Sequence, residues 1–178
     1  MKSVGNRIIP FLIYGMTIVF IFLLTNLAFA EQNIPKFKIA AKFKSLGTTY
    51  SLLVPKDTTN EQLEALIRHF RDARKGNYLS KLIPPTTKGG KYGDYAAVNL
   101  YVFSEQEWAS NPKFSKFMNA STLSASDVKF TKEYCKHIKA HYLYPLTGEK
   151  YETGSVGYFE HDSEYGKGQC TPFYKNLF

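Results

Sequence analysis

Arginine is scarce in this chain. Of its 23 basic side chains only Arg7, Arg68, Arg71 and Arg74 are arginines. Arginine is the residue suited to bidentate phosphate contacts and to base edges. A surface of lysines presents point charges instead, which argues against dedicated nucleic-acid recognition. Cysteine is scarcer still: Cys135 and Cys170 are the only two. No C-x-x-C pair occurs, and G-x-S-x-G and H-E-x-x-H are also missing. The chain therefore carries none of the motifs that announce a paired-cysteine metal site, a nucleophile elbow or a zinc protease helix. No cofactor is implied and no catalytic residue stands out. No cysteine lies near residue 30, so a lipid-modified N-terminus is not expected either.

What is present begins with the N-terminus. "MKSVGNR" carries Lys2 and Arg7 and no carboxylate, "IIPFLIYGMTIVFIFLL" is almost wholly apolar, and "TNLAFA" ends in small residues at Ala28 and Ala30. A basic start, an apolar run and an A-x-A end read as a secretory signal peptide. Residues 1–30 would then be removed and 31–178 would form one domain in the periplasm or the secreted space. The apolar run is close to the shortest that spans a bilayer, so an uncleaved inner-membrane anchor is the rival reading. Residues 31–178 hold 21 basic and 15 acidic side chains, net +6, because residues 1–30 take away Lys2 and Arg7 alone. That charge suits an anionic partner: an acidic protein, an anionic polysaccharide or a membrane surface. Two cysteines in an exported chain read as one disulfide, Cys135–Cys170. Closing a loop of about 36 residues stabilises by roughly 3–4 kcal/mol.

Along the domain, "PKFKIAAKFKS" (35–45) alternates with period two. Phe37, Ile39, Ala41 and Phe43 fall on one parity and Lys36, Lys38, Lys42 and Lys44 on the other, the pattern of a half-buried strand. Tyr50–Val54 reads as its hairpin partner. "KDTTNEQLEALIRHFRDARKGN" is the clearest helix. Thr58 and Thr59 offer N-caps with Glu61 and Gln62 three residues on, and Leu63, Leu66, Ile67, Phe70 and Ala73 form one stripe. Glu64 stands four before Arg68, and Gly76 suits the stop. "YAAVNLYVF" (95–103) is apolar on both parities, as in a central strand covered on both faces. Ser104 with Glu107, then Asn111 before Pro112, signal a second helix carrying Phe114, Phe117 and Met118. Residues 119–127 read as a polar loop. Tyr134–Tyr144 reads as a strand, "PLTGEK" as a turn and "YETGSVGYF" as the returning strand, with Tyr142, Tyr144, Tyr151 and Tyr158 pairing across that hairpin. The order β-β-α-β-α-β-β gives an α+β fold, a mainly antiparallel sheet with helices packed on one face and one disulfide.

Candidate chemistry is thin. His137 and His141 on one strand would stand roughly 13 Å apart, too far to share a metal. Together with Lys139 they take the parity opposite the apolar one and are expected to face solvent. "FEHDSEYGKG" gathers Glu160, His161, Asp162 and Glu164, a fragment of a calcium loop, and reads as a solvated turn. Cys135 with His137 or His161 is the pair that a thiol hydrolase would need. The lysine face of the first strand protects a sheet edge or docks an anion. The other basic feature is "PPTTKGGKYGDY" (84–95). It opens a strand, not a helix, and Lys88 and Lys91 miss the phosphate-loop spacing. It reads as a mobile basic loop. The candidate binding surface is therefore Lys36, Lys38, Lys42, Lys44, Lys88, Lys91 and Tyr92. The expected function is an exported basic binding or assembly module of the cell envelope. The alternatives are a small exported hydrolase using Cys135 or His161, and a membrane-anchored subunit of an envelope complex.

Overall fold

The two hydrophobic parities of the central strand are both used. In the computed structural model, which describes residues 34–44, 47–113, 125–157 and 175–178, strands β1 (Lys38–Lys44), β2 (Thr48–Leu53), β3 (Val98–Phe103), β4 (Ile138–Tyr144), β5 (Thr153–Val156) and β6 (Lys175–Asn176) form one sheet in sequence order. The described helices are α1 (Asn60–Lys75), α2 (Gln106–Ala109) and α3 (Ala125–His137). Pro35–Phe178 forms one compact unit. Among the described residues no helix is long and apolar enough to cross a membrane. Residues 1–30, on which the signal-peptide and anchor readings rest, lie outside the described residues.

Helix α1 forms where its stripe predicts. Thr59 is the N-cap: its hydroxyl accepts from the Gln62 amide, and the Gln62 side chain accepts from the Thr59 amide. At the other end Gly76 keeps a negative φ, and Asn77 takes the left-handed φ of 58°. Glycine is needed at 76 for room, since a Cβ there would lie 2.6 Å from the Tyr78 ring. Leu63, Leu66, Ile67, Phe70 and Ala73 are buried. They cover the face that carries Tyr50, Leu52, Leu100, Val102, Ala140 and Tyr142, all matched across the ladders. Residues opposite each other in a ladder share a face.

A second fixture holds α1 to the sheet. The Glu152 carboxylate, 2% exposed, accepts from Arg74 Nε at 3.1 Å, Arg71 Nε at 3.3 Å and the Tyr142 hydroxyl at 2.7 Å. Arg74 also lies over the Tyr144 ring at 3.9 Å and Arg71 over Phe178 at 4.0 Å. Burial opposes the charge on Arg74, but bonds to Tyr142 and Glu149 and the charge of Glu152 hold its pKa above the ordinary value. Phe178 closes this face from the edge. A Cβ on Gly154 would meet its ring at 2.4 Å and Ile67 at 2.7 Å. The tyrosines of this hairpin therefore serve α1: Tyr142 is buried beneath it, while Tyr151 is exposed. Tyr158 lies outside the described residues.

The expected architecture needs four corrections. First, the sheet is mainly antiparallel as expected but mixed: β2 runs parallel to β3, and the other described pairings are antiparallel. The helix α1 is the crossover that lets two strands run the same way. Second, helices cover both faces. Trp108, Phe130 and Tyr134 pack with Phe103, Ile138 and Tyr101 on the side away from α1. The twofold apolar pattern of β3 demands cover on both sides, and β3 is indeed central. Third, the order is β-β-α-β-α-α-β-β-β. Residues 134–137 end α3 rather than begin a strand, and β6 adds an edge. Helix α2 begins after Glu105, with no side-chain cap from Ser104. Residues 114–124 lie outside the described residues. Fourth, the expected Cys135–Cys170 disulfide is not among the described bonds, since Cys170 lies outside the described residues.

Candidate functional site

The four lysines of the first strand do not share a face. The β1–β2 ladder steps from Ile39–Leu52 to Ala41–Ser51, leaving Ala40 as a bulge. One extra residue reverses the alternation. Lys42 pairs with Tyr50 and Lys44 with Thr48, on the α1 side, whereas Lys38 pairs with Leu53 on the other. Lys36 precedes the strand. Ile39, opposite Leu52 on this end strand of the sheet, is 37% exposed despite its apolar parity. β1 is an edge of the sheet, and lysines with a bulge blunt such an edge against strand addition.

The loop 84–97 is not floppy at its base. Thr86 is buried, and its hydroxyl donates to the Ala97 carbonyl at 2.5 Å. The Thr86 and Thr87 amides both donate to the Asp94 carbonyl, and the Thr87 hydroxyl donates to the Gly93 carbonyl at 2.6 Å. The Thr86 carbonyl accepts from Thr48 at 2.7 Å, and the Tyr50 hydroxyl donates to the Pro85 carbonyl at 3.2 Å. These bonds stitch the loop to the start of β2. Lys88, Lys91 and Tyr92 project from the tip, and Tyr92 is 72% exposed. Lys42, which shares a face with Tyr50, belongs to this same end. Lys38 sits at the far end of a seven-residue strand, about 20 Å away. The sequence-predicted surface thus splits in two: Lys42, Lys44, Lys88, Lys91 and Tyr92 at the loop end, Lys36 and Lys38 at the other.

That other end holds a feature the sequence reading missed. Parallel β2 and β3 both finish there, and an open cleft of about 430 Å³ lies beyond them. Val54 and Ser104 follow the two strands, Thr58 and Asn60 start α1, and Lys139 enters from β4. Lys56 and Glu105 complete the polar lining. Clefts at the carboxyl ends of parallel strands are common ligand sites. The signal was available in part: "YSLLVPKDTTN" runs from a strand through a turn into a capped helix. Only the pairing of β2 with β3, fifty residues on, makes it a site.

The histidines occupy separate environments. His137 ends α3, its Nδ1 3.4 Å from a Glu105 oxygen and its Nε2 3.6 Å from Glu133. Its ring stacks on Trp108 at 3.9 Å. His141 sits in β4 with Nε2 donating to Asn99 Oδ1 at 2.8 Å and its ring stacked on Tyr101 at 4.3 Å. The expectation that it faces solvent fails, because this face of the sheet is covered too. Burial lowers its pKa to about 4, and burial pushes the Tyr101 phenol up to about 12. The two histidines thus lie in a helix and a strand with different partners. Among the described residues no group of three or more His, Cys, Asp and Glu is placed to hold a metal ion. Cys135 is 5% exposed, unlike the accessible, electropositive setting of a reactive thiolate. Glu160, His161, Asp162, Glu164 and Cys170 lie outside the described residues. No protein-family model, curated protein or solved structure matches this chain.

Proposed function

We propose that this chain is an exported basic binding module that docks an acidic protein surface through the loop end of its sheet. One observation carries the reading: a loop fixed at its base by Thr86 and Thr87 holds Lys88, Lys91 and Tyr92 out in solvent, on the side of the sheet end that carries Lys42. Lysines supply long-range attraction and an exposed tyrosine supplies the central contact that protein interfaces favour. A lipid surface calls for buried apolar anchors, and the tip offers none beyond Tyr92. Export rests on residues 1–30.

The test uses immobilised polyglutamate as the acidic probe. Lys88→Glu with Lys91→Glu should weaken binding by about tenfold or more, and the remaining binding should lose most of its salt dependence. Lys36→Glu with Lys38→Glu should change it far less. Equal effects from the two pairs would remove the loop end from the reading. Tighter binding to anionic vesicles or to an acidic polysaccharide than to polyglutamate would replace the acidic protein as partner. N-terminal sequencing of the protein recovered outside the cytoplasm should begin at Glu31. A chain that begins at Met1 would support the membrane-anchored alternative instead.

A further inference from the structure

We infer that the cleft beyond β2 and β3 is a binding site for a small organic anion carried on a hydroxyl-bearing frame, such as a sugar acid or a sugar phosphate. It is a separate site from the loop end and does not depend on the docking role proposed there.

The inference starts from charge. Lys56 and Lys139 both line the cleft, and neither makes an ion pair among the described residues. The arginines of α1 are outside the cleft and are already engaged with carboxylates. Arg68 reaches Glu64, and Arg71 and Arg74 reach Glu152. The cleft's own carboxylate, Glu105, is turned to His137. Two like charges lining one concavity repel each other, more so where protein replaces water on one side. An anion between them removes that repulsion and gains a charge-assisted bond from each.

Hydroxyl chemistry comes next. Ser104 has no hydrogen-bond partner among the described residues and is half-buried in the lining. Thr58 spends its proton on the Pro55 carbonyl, so its oxygen remains an acceptor. The backbone amides at the start of α1 are partly committed to the capping box of Thr59 and Gln62, so the two lysines are the anion-holding groups. Glu105 lines the cleft as well, and its carboxylate keeps lone pairs beyond the one facing His137. Val54 and Leu63 give the floor an apolar strip. Donors for an anion, acceptors for hydroxyl protons and an apolar strip together match a hydroxylated carbon frame bearing one acidic group. A bare inorganic anion would leave the acceptors and the strip unused.

Titration calorimetry of the whole exported protein tests this with four probes: glucuronate, glucose 6-phosphate, glucose and inorganic phosphate. Glucuronate or glucose 6-phosphate should bind more tightly than glucose and than phosphate, and which of the two is tighter identifies the acidic group. Lys56→Met and Lys139→Met should each weaken that binding by about tenfold, the worth of one charge-assisted bond. Lys56 stands on an exposed turn, so its variant remains informative if Lys139→Met fails to fold. The loop-end pair Lys88→Glu with Lys91→Glu should leave the sugar-acid affinity unchanged. No binding of either acidic sugar, binding indifferent to Lys56, or phosphate and glucose binding as well as the acidic sugars would overturn the inference.

Discussion

Replacing Glu152 by alanine is expected to lower the unfolding free energy by about 3–5 kcal/mol, the range for breaking a buried ion pair by removing one partner. The variant strips the carboxylate from between Arg74, Arg71 and the Tyr142 hydroxyl. Arg74 is only 11% exposed and is left with the single, exposed carboxylate of Glu149 as ion-pair partner. The phenol of Tyr142, buried in the same pocket, loses its acceptor as well. Glu149 offers the internal control. It reaches the same guanidinium at 3.2 Å, but its side chain is 64% exposed. Glu149→Ala should therefore leave the urea midpoint almost where it was. Urea unfolding of the two variants beside the parent chain decides the matter. If they shift the midpoint equally, burial is not what gives the Glu152 cluster its weight.

The second large effect is a loss of stability in mild acid that originates at His141. Its folded pKa of about 4 lies below the ordinary value of 6.5, and burial is the cause. A base with a depressed pKa binds its proton more readily in the unfolded chain. Its contribution is therefore complete above pH 6.5 and disappears as the pH falls through 4. The difference corresponds to about 3 kcal/mol. Carboxylates also contribute to acid unfolding, so the histidine must be isolated by substitution. His141→Gln keeps a donor for Asn99 and cannot acquire a charge. Between pH 7 and pH 4 the variant should lose about 3 kcal/mol less than the parent does. Parallel pH profiles for the two chains would refute the assignment.

Much of the fold could be read from local pattern, and the misses have particular causes. The α1 stripe is legible because the period of 3.6 recurs over sixteen residues with a cap at its start. β3 is legible as central because its apolar residues fall on both parities. The same fact implies that both faces of the sheet are covered. The bulge at Ala40 is invisible, since "IAAK" alternates acceptably with or without an extra residue. α3 is hidden because its last turn runs directly into β4, and "CKHIKAHY" reads well as a single strand. Alternation assigns His141 to solvent because it tells which residues share a face, not whether that face is covered. Among site residues, the exposure of Lys88, Lys91 and Tyr92 followed from their glycine-rich surroundings. The cleft did not, because Lys56, Ser104 and Lys139 come from three distant segments. Nor did the Glu152 cluster, whose arginines lie 78 and 81 positions away.

The stitched base of the 84–97 loop has a consequence for the kinetics of any contact made there. A loop that must first be ordered gives up conformational entropy at the moment of docking, roughly 0.5–1.5 kcal/mol for each side chain immobilised. Here the fold has already fixed the backbone through Thr86 and Thr87. Only the side chains beyond them remain to be ordered. Encounter then resembles the meeting of two rigid bodies, governed by diffusion and by the lysine field. Differences among partners, and among tip variants that keep the charge, would be expressed chiefly in how long the complex lasts.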